Sequence, residues 1–334
     1  MSGDGPVVDA GNVFLEHLVV RGFSPATVRA YAFDLANFAM FLDERGLGLA
    51  EVVPTDLFGY LDWQSRRPRA GGKVVPIGPT TTSPATLNRR ISAVRGLFEH
   101  LVTTGARADN PVPAARRASG LRSQHRGLLG HVATRSRPGG RLVRQPQRLP
   151  ESLPAEDVTA FLGDLDTHRD RAMVLGMVLG GLRAAEVRAL RLADVDMGLR
   201  RVRVVGKGGK ERVVPIDGVF FTECAAYVRS ERPPGCRSPE CFVVLHGPTR
   251  GRPLTEAGLR KVFRTHRARS GATRVRPHRL RHTYGTELAA AGIDLLALRE
   301  LMGHASPETT ARYVHLSAET LAAEFAAARA VAGR

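Results

Sequence analysis

Four residues that could act on phosphate fall within positions 276–316: His278, Arg281, His304 and Tyr313. Two cations upstream extend the set: Arg183, just after Gly180-Gly181, and Lys207, inside the glycine-rich run 206–210. Singly, each has an ordinary reading as a structural histidine, a surface arginine or a turn lysine. Together they suit the attack of a tyrosine on a phosphodiester. Tyrosine ionises near pH ~10, so at neutral pH it is a weak nucleophile unless developing charge is stabilised around it. Two guanidiniums, Arg183 and Arg281, can hold the non-bridging oxygens of a pentacoordinate phosphorane without losing their own charge. His278 can accept or relay the tyrosine proton, His304 can donate to a phosphate oxygen, and the Lys207 ammonium can protonate the leaving 5′ oxygen. No carboxylate cluster suited to Mg²⁺ accompanies them, so the expected chemistry needs no metal, nucleotide or other cofactor. The run 206–210 lacks the glycine spacing and the following Ser or Thr of a phosphate loop.

These groups need elements to hold them. Leu280, Tyr284 and Leu288 recur at four-residue steps, which predicts a helix with His278 and Arg281 sharing its other side. Asp294 is placed to cap a second helix through Leu295, Leu298, Leu301 and Met302, which Gly303 ends, leaving His304 on the turn. Ser306-Pro307 opens a third, with Tyr313 about two turns in. Upstream, RVRVV (201–205) and ERVVP (211–215) flank the glycine-rich turn as a hairpin, and CFVVLH (241–246) reads as a third strand. Helices are expected at 155–165, 169–180, 182–192 and 255–270. The whole region is mainly helical with a small antiparallel sheet.

The chain has 334 residues, with 49 Lys and Arg against 32 Asp and Glu, a net charge of +17. Most of the excess is arginine, whose planar fork suits phosphate, so a polyanion is the expected partner, nucleic acid before any other. The three cysteines cannot form a disulfide framework. Cys236 and Cys241 read as thiols at a loop tip, spaced too loosely for zinc. No apolar run reaches the roughly 18 residues that cross a bilayer, so the expectation is a soluble, cytoplasmic, nucleoid-associated protein with no membrane partner.

Before this region lies an all-helical unit at 11–111, preceded by what reads as a frayed leader. Its first helix uses Phe14, Leu15, Leu18 and Val19 and closes at Gly22; its second runs from Ser24-Pro25 to Gly46, with Leu35, Phe38 and Leu42 on one face. A third (55–66) carries Leu57, Leu61 and Trp63. A fourth (84–104) faces Leu87, Ile91, Val94 and Phe98 inward and shows Arg89, Arg90 and Arg95 outside, read as phosphate contacts. The segment 67–83 breaks periodicity and reads as an inserted loop. Residues 112–150 hold nine arginines and no acid, so 112–152 reads as a linker or arm between the helical unit and a second domain at 153–334.

Four motifs in order, GLRAAEVRALRLADVD (181–196), GKGGKERVVP (206–215), HRLRHTYGTEL (278–288) and LMGHASPETTARYVH (301–315), resemble the tyrosine recombinase (phage integrase) family. VRAYAFDLANFAMFL and TLNRRISAVRGLFEHLVTTG are similar to its N-terminal core-binding domain. The resemblance implies a mainly α fold of two domains: a helical, SAM-like core-binding domain and an α+β catalytic domain with a small antiparallel sheet. It makes Arg183, Lys207, His278, Arg281 and His304 the active-site set and Tyr313 the nucleophile. It also implies double-stranded DNA as the partner, with strand exchange through a 3′-phosphotyrosyl link by a homotetramer on paired sites. The 67–83 insertion and the arginine linker exceed what compact Xer-type members usually carry, which points to an integrase serving a mobile element. The nearest alternative is a type IB topoisomerase, with similar chemistry but religation of the same strand. A DNA-binding protein with a decayed site is a third reading, opposed by the six intact positions.

Overall fold

The computed structural model describes residues 5–66, 82–113, 142–143, 152–206 and 209–303, with the single positions 326 and 329. The chain divides into two compact units, Met1–Gln147 and Arg148–Arg334, each with its own apolar core.

The first unit is built from α1 (Pro6–Val20), α2 (Pro25–Arg45), α3 (Pro54–Arg66) and α4 (Pro84–Thr103). Local chemistry fixes two of the starts: the Ser24 and Ser83 hydroxyls accept from the backbone N–H of Thr27 and Thr86 at 3.2 and 3.3 Å, each followed by proline at the first helical position. Gly46 ends α2 in the left-handed conformation, at φ 62°. Phe14, Phe38, Phe41, Tyr60 and Phe98 fill the core. The segment expected to fray is helical from Pro6, and of the four apolar residues expected inside, Phe14, Leu15 and Leu18 are buried while Val19 is exposed. Part of the expected linker is held here: the Asn88 side-chain amide donates to the Val143 carbonyl at 2.8 Å and its oxygen accepts the Val143 N–H at 3.0 Å, with Leu142 against the core. Most of 67–83 and of the arginine linker lies outside the described residues.

The second unit runs α5 (Ala155–Gly163), α6 (His168–Val178), α7 (Ala184–Ala189), β1 (Val195–Asp196), β2 (Arg201–Val205), β3 (Glu211–Pro215), α8 (Gly218–Ser230), α9 (Glu256–Ser270), α10 (Pro277–Ala290) and α11 (Leu295–Met302). α6 is its centre, buried along nearly its whole length and packed against α8 and α10. The antiparallel sheet has order β1-β2-β3, with Val202 opposite Val214 and Val204 opposite Arg212. The hairpin strands fall where β-branched alternation puts them.

Three expectations fail here. The stretch 241–246 is not a strand of the sheet, and the third strand is instead β1, Val195–Asp196. Cys241, Phe242 and Val243 are fully buried; the Cys241 N–H donates to the Leu190 carbonyl at 2.6 Å, and the stretch pairs with 251–254 through one antiparallel bridge, Val243 with Pro253, apart from the sheet. Buried apolar runs do not declare their backbone partners, so periodicity alone misreads them. Cys241 is likewise no loop-tip thiol: its Sγ lies 3.7 Å from that of Cys224, deep in the core. Finally, the helix expected over 182–192 is only six residues long, ending where Leu190 leaves helical geometry.

Candidate active site

The site grows from the break between α6 and α7. Gly181 turns the chain at φ 59°, and a Cβ there would lie 2.4 Å from the Tyr284 ring, so glycine is required both by the backbone and by the neighbour. The turn buries Leu182 and makes Arg183 the N-cap of α7. Glu186, three residues on, reaches back to accept the Arg183 backbone N–H at 2.8 Å, the return half of a capping box. The same carboxylate accepts Arg183 Nη1 at 2.6 Å and a two-pronged contact from Arg212 on β3, Nη1 at 2.9 Å and Nη2 at 2.8 Å.

Arg281 comes from α10, where Pro277 occupies the first turn and Leu280, Thr283 and Tyr284 are buried. Its guanidinium is itself buried and donates to the carbonyls of Gly181 and Met302. Arg183 Nη2 donates to the Gly303 carbonyl at 2.8 Å, and Arg212 Nε to the Leu301 carbonyl at 2.9 Å. Three successive carbonyls at the end of α11 therefore each receive a different arginine. The C-terminal end of a helix carries partial negative charge, which gathers these cations. α11 itself follows the expected design: the Asp294 carboxylate accepts from the N–H groups of Leu296 and Ala297 at 2.9 and 3.0 Å, Leu298 and Met302 are fully buried, and Gly303 closes it at φ 57°.

His278 stands at the exposed start of α10, its ring edge-on to His282 at 6.3 Å between centroids. Burial, then the charges of Arg276 and Arg279, hold its imidazolium below the ordinary histidine value. Both effects favour the neutral imidazole, the form that can accept a proton. Glu186 shifts the other way from most buried acids: burial pushes it up, but the Arg212 hydrogen bonds and the Arg183 N–H outweigh burial and bring it to about 2. Lys207, His304 and Tyr313 lie outside the described residues; of the positions flanking Lys207 in sequence, the Gly206 N–H donates to the Lys210 carbonyl at 2.7 Å.

Sequence reasoning passed over Glu186 and Arg212. Glu186 carried a signal, an acid three residues after the cap. Arg212 carried a subtler one, a charge at an inward position of an alternating strand beside outward-facing Val213.

The three arginines of α4 do not share a face. Arg89 is half-exposed and donates to the buried carboxylate of Asp34. Arg90 donates through Nη1 to Gln64 Oε1 at 2.6 Å, with its Nε 3.7 Å from Asp34. Arg95 is buried, not outward as expected, and its Nη2 donates to the Pro113 carbonyl at 3.0 Å. Six positions along a helix turn through about 240°, which carries Arg95 off the side that shows Arg89.

The chain matches the Phage integrase family over residues 151–320 and the Phage integrase, N-terminal SAM-like domain over residues 12–105. It is 30% identical to tyrosine recombinase XerC of Myxococcus xanthus over 96% of both chains, and 34% identical to XerC of Mycobacterium sp. (strain JLS) over 95% of this chain and 96% of that one. Among solved structures it shares its fold with the Tn1549 transposon integrase in complex with transposon right end DNA (TM-score 0.66, 16% identity, 96% of this chain and 99% of that one). It shares it also with the XerH site-specific recombinase bound to palindromic difH substrate (TM-score 0.62, 20% identity, 90% of this chain and 79% of that one).

Proposed function

This chain belongs to the phage integrase family and is a tyrosine-type site-specific recombinase, an enzyme that breaks and rejoins DNA; from that premise we propose the roles of its residues. Tyr313 attacks a DNA phosphate, its Oη bonding to phosphorus as the bond to the 5′ oxygen breaks. His278 takes the tyrosine proton, and Lys207 gives one to the leaving 5′ oxygen. Arg183, Arg281 and His304 bind the non-bridging oxygens while charge accumulates on them. The product is a 3′-phosphotyrosyl link that keeps the energy of the broken bond, so a partner strand's 5′-hydroxyl reverses the step without ATP. The side chains already supply the nucleophile, acid, base and charge, so no metal has a task in this reaction. One observation carries the reading: Arg183 and Arg281, 98 residues apart in sequence, converge on neighbouring carbonyls at the end of α11, immediately before His304.

Exchange between two duplexes requires four strand cuts, so we assign the working form to a homotetramer on paired DNA sites. Arg89 and Arg90 of α4 contact the DNA backbone in this reading. The 67–83 insertion and the 112–152 arginine segment support service to a mobile element over a housekeeping role.

The test is Tyr313→Phe on nicked duplexes tiled from the source genome. Covalent adducts should vanish while DNA affinity stays within about threefold of wild type, since one hydroxyl adds little to a backbone-dominated interface. Undiminished adducts would sink the nucleophile assignment. Tyr284, the tyrosine nearest in sequence, is a poor substitute, because burial pushes its hydroxyl's ionisation up and its ring packs on Gly181. Resolution of a two-site plasmid, against relaxation of a one-site plasmid, separates strand exchange from topoisomerase action.

A further inference from the structure

We propose that Arg212 is a positioning residue for strand cleavage, holding both the Arg183 guanidinium and the turn that leads to His304. The inference rests on the catalytic reading of Arg183 and His304 above. Its starting point is an anomaly of pattern. β3 alternates exposed and buried positions, and an arginine occupies an inward one, in the place a valine or isoleucine would fill. A guanidinium is retained inside only when its donors are met. Among the described residues they are met by both oxygens of Glu186, through Nη1 and Nη2, and by the Leu301 carbonyl, through Nε.

Those two partners belong to different elements, Glu186 to α7 and Leu301 to α11. Glu186 passes the constraint to Arg183, which it grips at backbone N–H and at Nη1. The Leu301 carbonyl belongs to the last turn of α11, two residues before Gly303, whose carbonyl Arg183 also engages. The result is a closed circuit: Arg212, Glu186, Arg183, Gly303, back along the chain to Leu301, and Arg212 again. Arg183 cannot swing without breaking a bond to Glu186 or to Gly303, and the turn cannot shift without leaving Arg212 or Arg183. The fit is close, because a Cβ on Gly303 would lie 2.9 Å from Arg212 Nη1.

Lysine keeps the charge but not the fork, so it cannot span Glu186 and Leu301 together. In Arg212→Lys, single-turnover cleavage of the nicked duplex captured by the wild-type chain should fall about 100-fold, the scale of a small displacement of a catalytic group. DNA affinity should change little and the chain should stay folded, with a lowered melting temperature because Glu186 loses donors. A second substrate separates positioning from a general loss of structure. Replacing a non-bridging oxygen of the scissile phosphate by methyl neutralises the charge that Arg183 serves, so the deficit of Arg212→Lys should shrink on this methylphosphonate, as that of Arg183→Ala should.

Cleavage by Arg212→Lys within about threefold of wild type, well short of a positioning effect, overturns the inference. So does an equal deficit on both substrates. If Arg212→Lys does not fold, the double variant Arg212→Met, Glu186→Met removes both buried charges together and leaves neither unpaired; wild-type cleavage by that protein overturns the inference as well. Arg183→Ala tells the two levels apart. Full cleavage by Arg183→Ala refutes the catalytic reading itself, whereas loss in Arg183→Ala with none in Arg212→Lys refutes only the role of Arg212.

Discussion

Each unit of this protein buries one carboxylate between two arginines, and the two carboxylates respond in opposite ways. In the first unit Asp34 is 1% exposed beside Arg89 and Arg90; in the second Glu186 is 6% exposed beside Arg183 and Arg212. Burial pushes Asp34 up to about 6 in spite of its two cations, while Glu186 falls to about 2. Charge count does not separate them, but hydrogen bonds do. Glu186 accepts four, two on each oxygen, whereas Asp34 accepts one from Arg89 and has Arg90 only at 3.7 Å. A nearby cation offsets the loss of water only partly; the rest must come from donors in bonding geometry. The saturated cluster lies at the candidate active site and the unsaturated one at the proposed DNA-facing helix.

The largest expected effect comes from removing the acids. Glu186→Leu strands Arg212 in the interior and should lower stability by about 3–5 kcal/mol, read as a fall in the urea midpoint of the second unit. Asp34→Leu leaves Arg89, already half-exposed, able to regain water, so its effect should stay below about 1.5 kcal/mol. Equal losses would erase the contrast.

The next effect is in pH. A carboxyl held below its usual value makes the folded state the poorer proton binder, so the stabilisation from Glu186 is complete above pH 4.5 and lost as pH falls toward about 2. Asp34 has the reverse sign: its folded state binds the proton better, so its contribution is complete below pH 3.8 and lost as pH rises through about 6. Trp63, the only tryptophan, reports the first unit by fluorescence, while circular dichroism follows both. Glu186→Gln should flatten the acid limb of the second unit, and Asp34→Asn the neutral-side slope of the first. Parallel slopes in the two units would contradict the hydrogen-bond explanation.

The smallest effect concerns His278. Its depressed proton affinity places the acid limb of cleavage below the ordinary histidine value of about 6.5, and Arg279→Gln, removing one of the repelling charges, should move that limb upward. An unmoved limb would mean that another group sets it.

Much of this fold was legible residue by residue. Ser24-Pro25, Ser83-Pro84, Asp294 and Gly303 mark helix ends because caps act over three or four residues. The hairpin strands were legible because alternation is local too. The buried run 241–246 was not, since an apolar segment records that it is inside but not which backbone it meets. Leu142 and Val143 were hidden for the same reason, in a segment whose composition reads as linker but which Asn88 holds from 55 residues away. Of the candidate catalytic residues, the sequence marked Arg183 and Arg281 as a pair, while Glu186 and Arg212, which hold them in place, were visible only as small departures from pattern.

The sequence by itself determined most of the helices with their caps, the hairpin strands, the excess of arginine and the order of the chemistry-bearing residues along the chain, but not β1 or α8. The tertiary structure alone decided which arginines turn inward, that Arg95 braces Pro113 and does not face solvent, and that Arg212, Arg281 and Arg183 close on three consecutive carbonyls of α11. The physical reason is range. Caps and periodicity are settled by neighbours within a turn, whereas a buried guanidinium is settled by whichever acceptors the folded chain delivers, here from 21 to 120 residues away.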